Sequence, residues 1–479
     1  MSSPLSSFQK ILVVLIFSTI TFFGLFRLTE SPPFGFDEGW AVQVATNLSQ
    51  VHLDGLQFSP GNIEHVSVLT SVGYPLLYTL AFWFKLFGVG IFQARLMMVV
   101  FMLGLALTSF SLLRRLYGNI MALSALAILA TFPPFYTFGK EVIGEVPLLF
   151  FLTLSLLGFH LSAENPDRKR FWLFLTGIAA GLCIVTKTMA LVFIPVLVVG
   201  ALIALKKGRV SWRDIGVVAL GTIMPIAVWL LANFQSGDSV ASALDYYSNP
   251  SALTDKTATF FQNLRLFFSG GGALFMLSLM TFWVSGVVIR LKTKKKIHLE
   301  ESVALLFALV IMLSLLFRYW DARYLFPVQV LGIVFAPYSL LNVFKKNKLF
   351  LCGVTVLCLA NLYQLSFNSY IADSYKSTTT KDLSDYFSSV PESTSVLFYN
   401  TANVVPFFGG RNYYQRIAMF KKWVLGSDYL PLVKEAKVEM LVLGPPMLEV
   451  DQKFPLDKYL EVAKFREIRI FKKKENGKI

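Results

Sequence analysis

Apolar runs of about 18 residues or more, separated by short polar breaks, recur from residue 11 to about residue 366. Each is long enough to cross a hydrocarbon core of roughly 30 Å. The pattern predicts about eleven transmembrane helices, over residues 11–29, 96–113, 118–138, 146–163, 171–187, 189–206, 213–233, 271–291, 301–317, 325–343 and 348–366. Basic residues gather in the breaks: Arg114-Arg115, Arg168-Lys169-Arg170, Lys206-Lys207 with Arg209, Lys292 to Lys296, and Lys345-Lys346 with Lys348. Placing every cluster in the cytoplasm sends the first span outward and brings residues 96–113 back in. Residues 72–90 then have no room to cross, and are expected at the outer interface or as a re-entrant segment, which Lys85 and the neighbouring aromatics suit. Lys10 followed by an apolar run resembles a signal peptide, but no small-residue cleavage site follows, so the run is read as a retained span.

Three segments fall on the outer side and are long enough to hold chemistry: residues 30–94, 234–270, and the tail from about 372. The tail loses the long apolar runs. Its shorter periodicities predict helices over residues 381–389, 429–436 and 458–465 and strands over 395–399, 438–443 and 467–471. The expected fold class is therefore an all-α polytopic membrane protein (residues 1–371), with interfacial helices in the first external loop (30–94), plus a small α/β extracytoplasmic domain (372–479).

Composition narrows the class further. Only 15% of residues are charged, against about 25% in soluble globular proteins. The net charge of +15 sits in the breaks between spans and is a topology signal, so nucleic acid is not expected as a partner. Cys183, Cys352 and Cys358 lie inside apolar runs without metal-ligand spacing, and no His-rich metal motif occurs among His52, His65, His160 and His298.

Several outer-face residues call for a chemical reading. Asp37-Glu38 follow the first span and open a short helix; they are either first-turn acids favoured by the helix dipole or a general-base pair. Glu141 and Glu145 occupy a very short external turn, where a carboxylate beside hydrocarbon is costly. Lys187, Arg318 and Arg323 are cations at outer turns that positive-inside statistics would leave neutral. Arginine offers a planar fork to phosphate oxygens and lysine a point charge. Asp321 can pair with one of the arginines. Acids and cations on one outer face suit attack of an acceptor hydroxyl or amine on a sugar whose leaving group is a lipid phosphate. A divalent cation held by Asp37 and a glutamate of the second turn is chemically open, and no metal is assigned. In the tail, Gly409-Gly410-Arg411 flanked by aromatics forms either a loop with a solvated Arg411 or a turn facing the cavity.

In order and sidedness, several pieces of residues 10–345 resemble the GT-C glycosyltransferases of the protein O-mannosyltransferase and aminoarabinose-transferase type: Asp37-Glu38, Tyr74-Pro75-Leu76-Leu77-Tyr78 through Lys85, Arg95, Arg115-Leu116-Tyr117-Gly118, the 181–187 stretch, and Arg323-Tyr324-Leu325-Phe326-Pro327. The resemblance implies a polyprenyl-phosphate sugar donor, inversion at the sugar, Asp37 as base, Glu38 as supporting acid, and Lys187 and Arg323 as phosphate contacts. It brings in Tyr74, Lys85, Arg95, Arg318, Tyr324 and Arg411 as candidate substrate-binding residues. Many relatives carry Asp in the second external turn; this chain offers Glu141 and Glu145, and either can correspond. His65 lies nine residues before Tyr74, further than in relatives. The acceptor, whether protein, lipid or glycan, is not recorded in these motifs. The expected location is a plasma (inner) membrane, with the N-terminus cytoplasmic and both the active site and the C-terminal domain extracytoplasmic. A transporter or flippase for a lipid-linked substrate is the alternative; it would favour internal repeats and midplane charges, and no fixed-period repeat is evident.

Overall fold

The structure is a computed structural model and describes residues 4–65, 72–233, 256–269, 271–317, 321–344, 347–420, 423–445, 454 and 456–474. The membrane part is built from α1 (Ser7–Leu25), α2 (Phe36–Gln50), a hairpin of β1 (Leu56–Ser59) and β2 (Asn62–Glu64), α3 (Tyr74–Phe87), α4 (Ile91–Tyr117), α5 (Asn119–Thr131), α6 (Pro133–Lys140), α7 (Glu145–Glu164), α8 (Lys169–Thr186), α9 (Phe193–Lys206), α10 (Trp212–Asn233), α11 (Lys256–Ser269), α12 (Gly271–Lys292), α13 (Leu299–Leu315), α14 (Phe326–Phe344) and α15 (Asn347–Phe367). Among the described residues nine helical stretches are long and apolar enough to cross a membrane, and α5 with α6 makes a tenth if the bent pair is one span. Helix α13, at 17 residues, reaches about 25 Å, short of the roughly 30 Å of a hydrocarbon core, and is the expected span that falls outside this set.

The 118–138 span differs from expectation. It bends by 65° between α5 and α6. Pro133 and Pro134 lack backbone N–H groups, and Phe132 before them is held extended at φ −77°, ψ 113°, so the helix restarts in a new direction. Helix α3 is 14 residues, about 21 Å, too short to cross. It buries Leu76, Leu77, Leu80, Ala81 and Phe84 and exposes Phe82, Leu86 and Phe87 on the opposite side. The segment between α10 and α12 holds α11, an element not read from the sequence.

Small residues set the close helix contacts. A Cβ at Gly177 would stand 2.2 Å from the Val218 carbonyl oxygen, one at Gly181 2.5 Å from that of Thr222, and one at Gly221 2.5 Å from that of Phe174. Helices α8 and α10 therefore touch backbone to backbone, as lipid-embedded helices do where no water is available to be expelled between them.

Beyond α15, α16 (Thr379–Ser388), β3 (Val396–Tyr399), β4 (Tyr413–Phe420), β5 (Trp423–Leu425), α17 (Leu430–Lys434), β6 (Met440–Leu443), β7 (Tyr459–Phe465) and β8 (Ile468–Lys473) form one mixed six-stranded sheet in the order β5-β4-β3-β6-β8-β7. Strand β3 pairs in parallel with both β4 and β6, and β8 runs antiparallel to β6 and β7. Period-two alternation divides the packing. Val396, Phe398, Met440 and Ile470 meet Leu383 and Phe387 of α16 on one face, while Leu397, Leu441 and Phe471 meet Tyr429 and Val433 on the other. Residues 458–465 were expected to be helical and are the edge strand β7. The tight connection through Arg466, at φ 55°, folds it back on β8, and sheet pairing overrides local helix propensity. Residues 408–412 around Arg411 form the connection that leads into β4.

Candidate active site

Four short segments meet around the start of α2. Gly73 is the hinge of the first contact: its N–H donates to the Thr186 carbonyl at 3.0 Å and Val72 bridges Lys187 antiparallel. A Cβ on Gly73 would lie 1.8 Å from the Val185 carbonyl oxygen, so only glycine permits the approach. The 141–145 turn packs against the same strand, since a Cβ on Gly144 would stand 3.1 Å from Lys187 Cβ.

Within this frame Glu38 is fully occupied. Arg95 Nε donates to Glu38 Oε1 and Arg95 Nη2 to Glu38 Oε2, each at 2.7 Å, and the Val142 and Gly35 N–H groups donate to the same carboxylate at 3.3 Å. Arg95 Nη1 donates to the Leu28 and Pro32 carbonyls at 2.8 and 2.7 Å. Arg95 is 0% and Glu38 1% exposed. This buried bidentate pair fixes the entry to α2 and ties it to the 141–145 turn.

That anchoring turns the neighbouring Asp37 outward, with a side chain 38% exposed, to pair with Arg323 Nη1. Arg323 sits on a 3-10 turn (Ala322–Leu325) capped by Asp321, whose Oδ1 accepts from the Arg323 N–H at 3.0 Å. Asp321 Oδ2 is 3.2 Å from Arg323 Nε, at an angle that makes a charge contact and leaves Nε without a hydrogen bond. Beside it, Lys187 Nζ donates to Glu145 Oε1. The Tyr324 ring lies under both cations, 5.9 Å from Lys187 Nζ and 5.2 Å from Arg323 Cζ, a cation–π arrangement that holds two positive charges side by side. Glu145 is fully buried and its second oxygen has no partner.

Burial dominates the titration of the turn. It pushes the Glu141 carboxyl up to about 8, with the charges of Glu38 and Glu145 adding and those of Arg95 and Arg323 opposing. Glu141 thus keeps its proton at neutral pH. Burial pulls the Lys187 ammonium below its usual range, against the attraction of Glu145.

Asp37, Glu141, Glu145, Lys187, Arg323 and Tyr324 are therefore brought together. Others fall elsewhere. Tyr74 opens α3 beside the Lys187 strand, but its hydroxyl donates to the Pro225 carbonyl at 3.4 Å. Lys85 is exposed in the last turn of α3, about 16 Å along the helix from Tyr74, where a cation suits the negative helix end. Arg411 grips the far end of α2, donating to Asn47 Oδ1 and Gln50 Oε1 at 2.6 Å each; it joins the tail to the first loop and stands away from Asp37. Arg318 lies outside the described residues. His65 Nδ1 is 3.2 Å from the Asp54 carbonyl on the outer loop, apart from the cluster. Sequence reasoning passed over Lys140, which is buried and donates to the Phe26 carbonyl at 2.7 Å; the same positive-inside logic that singled out Lys187 applies to it. Among the described residues no group of three or more His, Cys, Asp or Glu side chains gathers as metal ligands.

The profile of the family described as Dolichyl-phosphate-mannose-protein mannosyltransferase matches residues 74–233, which carry α3 to α10. Among solved structures the chain is similar to ArnT from Cupriavidus metallidurans, at 16% identity and a TM-score of 0.65 over 98% of both chains. The fold is that of the GT-C glycosyltransferases. It is also similar to the Archaeoglobus fulgidus oligosaccharyltransferase, at 14% identity and TM-score 0.60 over 94% of this chain and 71% of that one. The mycobacterial arabinofuranosyltransferase AftD aligns at 13% identity and TM-score 0.52, over 98% of this chain and 42% of its own. No curated protein matches in sequence. The chain is a multi-pass membrane protein with a GT-C scaffold, and the segments that meet at Asp37 lie in the aligned body of that scaffold.

Proposed function

We propose that this GT-C chain transfers a sugar from a polyprenyl-phosphate donor to an acceptor on the extracytoplasmic side, with Asp37 as general base and Lys187 and Arg323 at the lipid phosphate. The observation that carries the reading is the meeting of Asp37 and Arg323, 286 positions apart, in a half-exposed ion pair beside Lys187. Support for the donor class comes from the matching mannosyltransferase family, from the C. metallidurans ArnT structure bound to undecaprenyl phosphate, and from the archaeal oligosaccharyltransferase in complex with dolichol-phosphate. Basic clusters between spans support a cytoplasmic N-terminus and an external site and tail.

The acceptor hydroxyl or amine attacks the anomeric carbon, its proton passes to an Asp37 oxygen, and the bond from that carbon to the phosphate oxygen breaks. The electron pair leaves with the polyprenyl phosphate, whose charge grows by one and is met by Arg323 and Lys187. Both cations are engaged by carboxylates in this structure. The donor phosphate must therefore displace Asp37 from Arg323, which frees the base as the donor seats and makes donor-first binding the expected order. Asp37→Asn in the purified, reconstituted protein is expected to retain a radiolabelled polyprenyl-phosphate sugar yet lose transfer by about 10²-fold or more. Undiminished transfer by this variant would remove Asp37 from the mechanism.

A further inference from the structure

The end of the bundle opposite the candidate active site carries a second built feature. The turn between α7 and α8 and the turn between α9 and α10 lie side by side and border an open cavity of about 750 Å³. The glycine contacts of α8 with α10 bring their starting ends together. Cations dominate the lining: Arg168, Lys169, Arg170 and Arg209 against the acids Asp167 and Asp214. Asp214 is spent within the wall, since Lys169 Nζ donates to its Oδ2 at 2.8 Å and the Ser211 N–H to the same oxygen at 2.9 Å. Lys169 Nζ also reaches the Arg209 carbonyl at 3.3 Å, closing the gap between the turns. Among the described residues Arg168 and Arg170 are exposed and have no ion-pair partner, and with Asp167 the one remaining acid of the lining the cavity keeps an excess of positive charge.

Apolar rims place this cavity at a lipid boundary. Phe171 lines it while 55% exposed, and Trp212, next to the lining Ser211, is 68% exposed. Below them the lipid-facing side of α10 continues with exposed Leu220 and Ile223. Aromatics at this level mark the headgroup region of a bilayer, and basic pockets between helices on the cytoplasmic side suit anionic headgroups. A free phosphate or a nucleic acid would have no use for the aromatic rim. We propose that this cavity is a binding site for the phosphodiester headgroup of an anionic glycerophospholipid of the inner leaflet. Arg168 and Arg170 would hold the phosphate oxygens, and Phe171 and Trp212 would flank the glycerol and first acyl carbons.

The test is native mass spectrometry of the full chain from bilayers mixing phosphatidylglycerol with phosphatidylcholine, comparing R168Q/R170Q with K206Q/K207Q. The second pair is exposed at the end of α9, at the neighbouring turn, but does not line the cavity. The wild type and K206Q/K207Q are expected to retain phosphatidylglycerol preferentially, and R168Q/R170Q to lose that preference by about 30-fold. Equal loss in both pairs would assign the effect to general surface charge and overturn the site. So would unchanged retention in R168Q/R170Q, or complete displacement of the lipid by inorganic phosphate. Both pairs change only exposed side chains, and equal melting temperatures of the variants would confirm that folding is not the variable.

Discussion

Asp37 and Glu38 are adjacent, chemically alike, and differ only in which side of the α2 entry they face. Glu38 accepts from Arg95 twice and is buried, while Asp37 meets Arg323 at the opening. The residue pattern alone marks both as unusual, and the partners that set their different surroundings lie 57 and 286 positions away. Removing one member of a buried pair leaves an uncompensated charge, so Glu38→Leu or Arg95→Met is expected to cost about 3–5 kcal/mol. The double variant should melt, in detergent, above either single one. Glu141 gives a pH signature. Its carboxyl rises from 4.5 unfolded to about 8 folded, so the folded chain holds a proton that the unfolded chain has released within that window. The stability from that proton is full below pH 4.5 and is lost as pH rises to about 8. Glu141→Gln is expected to flatten this part of the melting-temperature profile, and an unchanged slope would show that another group titrates.

Among the elements, the spans were legible because a run of apolar residues needs no partner to declare itself. Helix α3 was placed correctly as a non-crossing segment by counting basic clusters, and the structure adds the reason for its position: Gly73 docks it onto the Lys187 strand. Gly73→Ala would drive a Cβ into the Val185 carbonyl. It is expected to cost about 1–3 kcal/mol through overpacking and to impair transfer more than a comparable substitution at the exposed end of α3. A transfer assay beside a melting curve separates the two effects. The bend at Phe132 and strand β7 were missed for different reasons. Pro133-Pro134 was readable as a break but lay inside an unbroken apolar run, whereas β7 has no local signal stronger than its pairing with β8.

For the whole molecule, the tail is held to the first outer loop. Gln43 Nε2 donates to the Ala402 carbonyl, Gln57 Nε2 to that of Arg411, and Tyr429 OH to that of Phe58, at 2.9, 2.8 and 2.6 Å. Arg411 adds its two bonds to α2. Arg411→Ala is expected to weaken this junction by about 1–3 kcal/mol and to speed hydrogen exchange in α2, without altering exchange in the α8–α10 pair. If exchange in α2 is unchanged, Arg411 is a solvated surface residue and the junction rests on the glutamines. By itself the sequence determined the membrane class, the recurrence of apolar spans, the composition change near residue 372 and the charged residues at span ends out of keeping with a lipid boundary. These are properties of single residues and local runs, set by transfer from water to hydrocarbon. Only the tertiary structure decided that Asp37 faces Arg323, that Lys187 is matched by Glu145, that Glu38 pairs with Arg95, and that Arg411 meets the far end of α2. Pairing at hydrogen-bond range depends on the mutual placement of segments far apart along the chain, and glycine contacts such as those at Gly73 and Gly177 permit backbone approaches that a Cβ would block.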